Sequence, residues 1–362
     1  MPELRKDPVT GRWVIISTER AKRPAQYART EDEHRGGFCP FCPGNERSTP
    51  PEVLSYRPTT TAKDDEGWWL RVVPNKFPAL RTEGALKRQA EGMYDRMTGY
   101  GAHEVLIESP DHEHSLAYLP EEQVQEIIWA LRDRCVELRK DPRMKYVLVF
   151  KNHGRDAGAS LEHPHCQIIA LPIVPKRVQE ELAGAEKYHL YKEHCVFCDM
   201  IQQELSDNRR IVAENDSFLA FMPFASSFPF ETCIIPKEHV AFFHDIQKNQ
   251  VAELAKIVKT TLALLAEALD DPAYNFVIHT TPLDETGPMP HYHWHMEIMP
   301  KLTKVAGFEW GSGFYINPTP PEDATLYLQE IAARPKPEAA AGAGIPLAAA
   351  SGPRGGGEPP RG

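Results

Sequence analysis

Three polar residues alternate along a short segment that leads into an apolar run, and their types are suited to phosphorus chemistry. The segment reads H-P-H-C-Q from His163 to Gln167, and residues 168–171 continue it with Ile, Ile, Ala and Leu. Because alternate residues of a β-strand share a face, His163, His165 and Gln167 are predicted to lie side by side. A neutral imidazole is nucleophilic near pH 7, so one histidine could attack phosphorus while the other binds a metal.

The elements around this segment occur in the same order twice along the chain. In each half, a helix with apolar residues at helical spacing ends at an Asp-Pro pair, a β-rich run follows, and a His-x-His strand comes next. The His-x-His pairs that begin at His163 and His293 are 130 residues apart (293 − 163), and the two Asp-Pro pairs have the same offset. We therefore predict an α+β fold of two homologous halves, each a mostly antiparallel sheet with packed helices.

Two C-x-x-C pairs are the next candidates for chemistry, since thiolates and imidazoles are the ligands that Zn²⁺ prefers. Each half supplies such a pair, a histidine after a strand and the first histidine of a His-x-His pair. Four such ligands close a tetrahedral shell and leave no position for substrate, which is typical of structural zinc. His114 or His244 could replace the histidine after the strand. We predict one or two zinc ions per chain, one held by Cys39, Cys42, His112 and His163 and the other by Cys195, Cys198, His239 and His293.

If zinc takes the first histidine of the pair, the neighbouring His165 is left as the candidate nucleophile. Gln167 on the same face could donate to the non-bridging oxygens of a phosphate. The preceding loop, residues 152–160, carries small residues that let backbone N–H groups approach a phosphate, and Ser160 adds a hydroxyl. The predicted catalytic residues are therefore His165, Gln167 and Ser160.

The composition restricts the classes of partner. The 362 residues carry 41 basic and 51 acidic side chains, so no overall basic field attracts nucleic acid or an anionic membrane. A local basic cluster at Arg20, Lys22 and Arg23 could meet phosphates or form an ordinary solvated surface. Without an apolar signal core or a long apolar run, the protein is expected to be cytoplasmic, where cysteines serve as metal ligands rather than disulfides. Residues 334–362 are rich in Pro, Ala and Gly and are predicted to form a disordered tail.

Several motifs together resemble one known family. They are His-Pro-His-x-Gln at 163–167, Cys-Pro-Phe-Cys at 39–42, Ser-Pro-Asp-His at 109–112, Arg-Ala-Lys-Arg-Pro at 20–24 and Asn-Lys-Phe-Pro-Ala-Leu at 75–80. In this order, over roughly residues 1–317, the chain resembles the galactose-1-phosphate uridylyltransferase family of the histidine triad superfamily. The resemblance implies two histidine-triad-like halves in a pseudo-symmetric monomer, with a catalytic half over residues 1–175 and a second half over residues 190–333.

The resemblance also implies a two-step exchange at His165. This histidine would attack the α-phosphorus of UDP-glucose, release glucose 1-phosphate and carry UMP until galactose 1-phosphate accepts it. By their positions in the motifs, the residues that bind the nucleotide would be Asn75, Phe77, Asn152, Ser160 and Gln167. In a homodimer, the residues that reach the neighbouring subunit's site would be Arg20 and Arg23. The segment 307–317 resembles the loop that binds the hexose 1-phosphate, through Phe308, Glu309 and Asn317.

The second half departs from the best-known members of the family. Those members place an iron site at the His-x-His pair near the carboxyl end, with a glutamate that follows the catalytic strand. The second C-x-x-C pair here resembles instead a two-zinc subgroup, some of whose members are similar to ADP-glucose phosphorylases. Glu181 and His279 are therefore not predicted as metal ligands.

The second His-x-His pair is also predicted to differ in chemistry from the first. Glu297 stands where the first half has Gln167, and a carboxylate would repel a phosphate. His295 is therefore predicted to be structural or substrate-binding rather than nucleophilic.

Two alternative functions remain open. The same histidine chemistry could serve an ADP-glucose or dinucleotide phosphorylase, in which inorganic phosphate accepts the nucleotide. From another class, the chain could be a zinc-stabilised protein that binds nucleotides without forming a covalent adduct.

Overall fold

A computed structural model of the chain describes residues 2–17, 37–283, 285 and 287–334. The basic cluster with Arg20 and Arg23, and residues 335–362 of the predicted tail, lie outside the described residues. Among the helices of the described ranges, none has both the length and the apolar character needed to cross a membrane.

The two longest helices of the described ranges follow the two apolar repeats of the sequence. Helix α1, Glu121–Arg139, begins after Pro120 with two glutamates in its first turn, where negative charge suits the positive end of the helix. Helix α4, Lys248–Leu269, begins with a capping box in which Gln250 Oε1 accepts the backbone N–H of Gln247 at 2.9 Å. The other helices are α2 Lys176–Lys192, α3 Val196–Asp207, α5 Gly307–Ser312 and α6 Pro321–Ala332.

Most strands belong to one large antiparallel sheet. The first half contributes β3 Leu54–Tyr56, β4 Leu70–Pro74, β7 Ala102–Ile107, β8 Tyr146–His153 and β9 His165–Leu171. The second half contributes β10 Ile211–Glu214, β11 Phe218–Phe221, β12 Thr232–Pro236, β13 Tyr274–His279 and β14 His295–Pro300. Their order is β10-β11-β12-β14-β13-β8-β9-β7-β4-β3. From either edge of the sheet inward, each half therefore contributes its five strands in the same relative order.

Two smaller sheets complete the described fold. Strands β1 Glu3–Lys6 and β2 Trp13–Ile16 form an antiparallel pair, to which β15 Tyr315–Asn317 adds in parallel with β2. Strands β5 Arg88–Glu91 and β6 Tyr94–Met97 form a separate hairpin. The predicted α+β fold, with antiparallel sheet and packed helices, is confirmed.

The two halves are joined through β8 and β13. His153 pairs with Tyr274 and Val149 pairs with Ile278 in antiparallel register. The ten strands therefore form one continuous sheet, and the backbone of the first half hydrogen-bonds directly to that of the second.

Strand pairing identifies which residues of the two halves are equivalent. His279 pairs with His295 in the second half, and in the first half Asn152 follows Lys151, which pairs with Cys166. Asn152 is thus the counterpart of His279, at an offset of 127 residues (279 − 152). This offset is three smaller than that of the His-x-His strands, so the loop before the second of these strands contains three additional residues.

The two faces of β9 separate the core from the candidate site. Cys166, Ile168 and Ala170 are fully buried in the large apolar core that also contains residues of α1 and α4. His165 and Gln167 alternate with them and therefore point to the opposite face of the sheet. In the second half this opposite face packs with α2 and α3, whereas in the first half it meets a smaller cluster around the first C-x-x-C pair.

Candidate active site and metal centres

Four side chains from three separate segments converge in the first half: Cys39, Cys42, His112 and His163. The Sγ atom of Cys42 lies 3.2 Å from Nδ1 of His112 and 3.6 Å from Nδ1 of His163. All four potential ligand atoms lie within 4.8 Å of one another. In a tetrahedral zinc site, a sulfur and a nitrogen ligand are about 3.6 Å apart. The cluster therefore has the donor types and the spacing of a structural metal site.

His163 is oriented by a hydrogen bond on the side of the ring that faces away from the cysteines. Its Nε2–H donates to the backbone carbonyl of Ser109 at 2.9 Å, so the lone pair lies on Nδ1, which faces the cysteines. Burial lowers the pKa of His163 to about 4. The ring is therefore neutral near pH 7, as a metal ligand must be.

A second cluster of the same composition forms in the second half from Cys195, Cys198, His239 and His293. The Sγ atom of Cys198 lies 3.4 Å from Nδ1 of His239 and 3.8 Å from Nδ1 of His293. His239 donates its Nε2–H to the backbone carbonyl of Met289 at 3.0 Å, which again directs Nδ1 toward the cysteines. Both sets of four residues singled out in the sequence are thus brought together.

His165 lies beside the first cluster, and no residue of the described ranges hydrogen-bonds to its Nε2. Its Nδ1 lies 2.9 Å from the backbone carbonyl of His163, and because a carbonyl can only accept, Nδ1 carries the proton. The lone pair is then on Nε2. Burial lowers the pKa of His165, which is only 6% exposed, and keeps the ring neutral. A neutral imidazole with a defined tautomer is what nucleophilic attack requires.

Phe41, between the two cysteines of the first pair, links the metal cluster to His165. Its ring packs edge-on against His163 at 6.1 Å between centroids and against His165 at 5.4 Å. Phe197 holds the same position in the second half, with its centroid 6.3 Å from that of His293 and 5.2 Å from that of His295. Each C-x-x-C segment therefore packs directly on its His-x-His pair.

A buried ion pair lies under the strand that carries His165. Lys151 donates to the carboxylate of Glu108, and both side chains are almost completely buried. The ammonium group also lies 3.4 Å from the backbone carbonyl of His165, and the thiol of Cys166 donates to Glu108 at 3.1 Å. These contacts fix the backbone of His165 from the side opposite its ring.

Gln167 is half-buried and is held by an unexpected partner, His103 of the neighbouring strand β7. The Oε1 atom of Gln167 lies 2.9 Å from Nε2 of His103. Nδ1 of the same ring accepts the backbone N–H of Ala79 at 3.1 Å, and the amide nitrogen of Asn75 lies 3.2 Å from Nε2. One imidazole thus connects Gln167 to the segment that contains Asn75 and Phe77.

The loop before β9 is shaped by glycine and supported from the second half. Gly154 and Gly158 have φ angles of 76° and 88°, in a backbone region that residues with side chains rarely adopt. Nδ2 of Asn275 donates to Oδ1 of Asn152 and to the carbonyl of Ala157, both at 2.8 Å. Ser160 is exposed at the end of this loop, where its hydroxyl is accessible to a ligand.

The remaining predicted substrate residues are placed in different surroundings. Phe77 is 83% exposed and Phe308 is exposed on α5. Glu309 accepts the backbone N–H of Ala306 at 3.0 Å and so caps its own helix. Asn317, by contrast, is fully buried: it donates to the carbonyl of Ser226 at 3.0 Å and accepts from the backbone N–H of Thr319 at 2.9 Å. The side chain of Asn317 is therefore used within the protein.

The second half places a charged network where the first half has its phosphate-binding candidates. His279 lies between two carboxylates, with Nδ1 3.0 Å from Oε2 of Glu181 and Nε2 3.1 Å from Oε2 of Glu297. Its ring stacks on that of His295 at 4.6 Å. Burial disfavours the charged ring, but Glu181 and Glu297 outweigh it and raise the pKa of His279 to about 10.

The same network contains a third cluster of potential metal ligands. Glu181, His279 and His295 each offer a ligand atom, and these atoms lie within 4.8 Å of one another. The sequence did not predict Glu181 and His279 as ligands, because the second C-x-x-C pair resembles a two-zinc subgroup rather than the members of the family with an iron site. The ligand atoms of Glu181, His279 and His295 fit a bound cation. The two carboxylates beside His279 fit equally well with a protonated His279 ring and no bound cation.

The duplicated α+β fold, with a single positioned imidazole beside a glutamine, belongs to a class of nucleotidyltransferases. The model described as "Galactose-1-phosphate uridyl transferase, N-terminal domain" matches residues 1–175, and a domain of unknown function (DUF4921) matches residues 114–341. The chain is 38% identical over 336 residues to ADP-glucose phosphorylase of Arabidopsis thaliana, covering 91% of this chain and 93% of that one. It is 31% identical over 338 residues to galactose-1-phosphate uridylyltransferase of Thermotoga maritima, covering 91% and 98% respectively.

A solved structure supports the same assignment. The crystal structure of an ADP-glucose phosphorylase from Arabidopsis thaliana with bound ADP-glucose matches with a TM-score of 0.77 at 36% identity, covering 91% of this chain and 99% of that one. The chain belongs to the galactose-1-phosphate uridylyltransferase family, as its motifs indicated.

Sequence reasoning missed three residues that contact the candidate site. His103 shares one face of β7 with Val105 and Ile107, and a polar residue on an otherwise apolar face is a signal that could have been noticed. Phe41 has a counterpart in Phe197, which the internal repeat could have revealed. Lys151 lies in a β-rich run and gives no sign in the sequence that it is buried.

Proposed function

We propose that this chain transfers a nucleoside monophosphate from a nucleoside diphosphate hexose through a covalent intermediate on His165. The Nε2 lone pair attacks the α-phosphorus, a P–N bond forms, and the bond to the bridging oxygen breaks to release hexose 1-phosphate. In the second step a phosphate oxygen of the acceptor attacks the same phosphorus, and the P–N bond breaks. The observation that carries this proposal is the defined tautomer of His165, whose proton is held on Nδ1 by a carbonyl 2.9 Å away.

The neighbouring polar groups suit the charge on the α-phosphate. The amide NH₂ of Gln167 can donate to a non-bridging oxygen, because its Oε1 is already engaged by His103. The glycine-shaped loop that contains Asn152 and ends at Ser160 can donate backbone N–H groups and a hydroxyl. We assign nucleotide binding to Asn75, Phe77, Asn152, Ser160 and Gln167.

We propose zinc as the occupant of both Cys₂His₂ clusters. A closed shell of this type supplies structural stability and takes no part in the reaction. The first cluster includes His163, whose carbonyl holds His165, so the metal site also maintains the geometry of the nucleophile.

Two substrate pairs fit this chemistry, and each has support. ADP-glucose with inorganic phosphate is favoured by the higher identity, 38%, to an ADP-glucose phosphorylase. UDP-glucose with galactose 1-phosphate is favoured by the amino-terminal family model and by the 31% identity to a uridylyltransferase. We place the phosphorolysis of ADP-glucose first on these identities and keep uridylyl transfer as the second candidate.

The second half is proposed to support the site and to bind the sugar phosphate without supplying a nucleophile. Glu297 there carries a negative charge at the place of the phosphate-binding amide, which disfavours a phosphate beside His295. The sugar phosphate is assigned to the surface near Phe308 and Glu309, and Arg20 and Arg23 to the neighbouring site of a homodimer. Mass measurement in solution tests the dimer.

A covalent adduct is the decisive test of this function. Wild-type protein is incubated separately with ADP-glucose and UDP-glucose, each labelled at the α-phosphorus and in the nucleoside, and the protein is then digested. An acid-labile, base-stable label on His165 is expected in wild type and in His295→Ala, and none in His165→Ala. A label that persists in His165→Ala, or its absence from wild type with both donors, would exclude the proposed mechanism.

The choice of substrates follows from the products. ADP-glucose with phosphate gives ADP if the chain is a phosphorylase, whereas UDP-glucose with galactose 1-phosphate gives UDP-galactose if it is a uridylyltransferase. Initial rates with both pairs, measured on one preparation, assign the activity to the faster pair.

A further inference from the structure

His103 occupies a central place between two groups of nucleotide-binding candidates. On the paired strands β7 and β9, His103 is opposite Ile169 and diagonal to Gln167, so their side chains project from the same face. The ring is half-buried, with the backbone of Ala79 on one nitrogen and the amide of Gln167 on the other. It thereby spans the space between the strand of the nucleophile and the segment from Asn75 to Ala79.

The surroundings of the ring determine where its proton lies. The backbone N–H of Ala79 points at Nδ1 from 3.1 Å, and the direction of this hydrogen bond is fixed because a backbone N–H can only donate. Nδ1 must therefore be the acceptor, so the ring is neutral and carries its proton on Nε2. The NH₂ group of Asn75 also faces Nε2 at 3.2 Å, because Oδ1 of Asn75 accepts the backbone N–H of Phe77 at 2.9 Å. Two donors cannot bond to each other, so this contact is not a hydrogen bond, and the fixed backbone donor at Nδ1 still places the ring proton on Nε2.

This tautomer fixes the orientation of the Gln167 amide. Nε2–H of His103 needs an acceptor, and the oxygen of Gln167 lies 2.9 Å away. A flipped amide would place an NH₂ group against the N–H and lose the bond. The NH₂ of Gln167 is consequently the end that remains available to a ligand next to His165.

We propose that His103 is a positioning residue for nucleotidyl transfer: it holds Gln167 with its NH₂ toward the α-phosphate and ties this orientation to the segment that holds the nucleotide. The proposal rests on the proposed function of His165. A glutamine free to rotate would present its oxygen to the phosphate part of the time, and an oxygen repels the developing charge that the NH₂ group stabilises.

A matched pair of substitutions separates this role from simple packing. An asparagine amide reaches the place of Nδ1 and can still accept from Ala79, but it cannot reach Gln167. A glutamine amide reaches the place of Nε2 and can donate to Gln167. We therefore expect the rate of labelling of His165 to fall about 10- to 100-fold in His103→Asn and to recover most of that loss in His103→Gln.

The combination with Gln167→Ala tests whether His103 acts through Gln167. If it does, His103→Asn slows labelling in the wild-type background and has almost no further effect in the Gln167→Ala background. Zinc content and unfolding midpoint are measured for all variants, and rates are compared among variants with unchanged values for both.

The outcomes are distinguishable from a failure of the proposed function. Labelling of wild type at His165 shows that the mechanism operates, whatever the His103 variants do. With that established, equal labelling rates for wild type and His103→Asn overturn the positioning role. The role is also overturned if His103→Asn slows labelling by the same factor in the wild-type and in the Gln167→Ala background. A His103→Gln variant as slow as His103→Asn also contradicts it.

Discussion

The carboxylate of Glu297 lies 3.1 Å from Nε2 of His279, so the second half places an ion pair where the first half has the amide that we propose to bind phosphate. His279 is the counterpart of Asn152, and Glu297 is the counterpart of Gln167. Two uncharged amides in one copy therefore correspond to two opposite charges in the other. In the second copy, His279 and Glu297 pair with each other at the positions that the candidate phosphate-binding residues occupy in the first copy.

The ion pair predicts a specific pH dependence of stability. Burial disfavours the charged His279, but the carboxylates of Glu181 and Glu297 prevail and raise its pKa to about 10, above the value of about 6.5 in the unfolded chain. The stability that this group contributes is complete below about pH 6.5 and is lost as the pH rises toward 10. Glu297→Gln removes one carboxylate, so the wild type should be more stable by roughly 3 kcal/mol near pH 6, and the difference should shrink toward pH 10.

Urea unfolding of wild type and Glu297→Gln at pH 6, 8 and 10, with a bound metal monitored in each sample, checks this expectation. A difference that is constant over this range would mean that His279 is neutral in the folded protein. That result would favour a cation bound by Glu181, His279 and His295.

Phe41 and Phe197 offer a matched comparison between the two halves. Both are buried between two cysteines and pack on a histidine of the adjacent His-x-His strand. Replacement by leucine keeps most of the volume and should cost each variant about 1 kcal/mol of unfolding free energy. Phe41→Leu should also slow labelling of His165 by about tenfold, because the imidazole of His165 is then held less firmly in position. Phe197→Leu should leave that rate near wild type. Equal rates in the two variants would show that the ring of Phe41 does not orient His165.

Removal of a cysteine tests the two metal sites separately. Cys39→Ser and Cys195→Ser should each lose one equivalent of zinc and lower the melting temperature by roughly 10 °C, because structural zinc contributes directly to folding. Cys39→Ser should also impair labelling of His165, since the first cluster includes His163. Cys135→Ala is the control, because this cysteine is buried on α1 away from both clusters. Zinc content is measured by mass spectrometry. If it is unchanged in Cys39→Ser, the assignment of the first site is wrong.

Lys151 and Glu108 are expected to depend on each other for stability. Lys151→Met leaves the buried carboxylate without its cation and should cost about 3–5 kcal/mol, whereas the double change Lys151→Met with Glu108→Leu should recover much of this loss. Denaturant unfolding of the two single variants and the double variant gives the coupling energy. Additive losses would mean that the two side chains contribute independently.

The repeat explains why so much of the site could be predicted from the sequence. A C-x-x-C pair is local, and the constant offset between His163 and His293 identifies the distant histidines that join each pair. The antiparallel sheet and its two long helices follow from periodic patterns that are equally local. These features depend on spacing along the chain, which the sequence displays directly.

The contacts that were missed depend on how strands pair across the sheet. His103 meets Gln167 only because β7 and β9 adopt one register, which a separation of 64 positions along the chain does not reveal. Lys151 resembles an exposed strand residue until its partner Glu108 is placed beside it. The contact of Glu181 with His279 requires α2 to cross the second half of the sheet. Such pairings follow from tertiary packing, and no short motif encodes them.

The pairing of β8 with β13 makes the two copies mutually dependent. A chain cut after residue 175 would leave β8 as an open edge strand, and such edges tend to recruit other chains. It would also release the loop at Asn152, which Asn275 holds by two hydrogen bonds. The second copy is therefore needed to complete the first, and the chemistry of the two copies can differ only as long as β8 remains paired with β13.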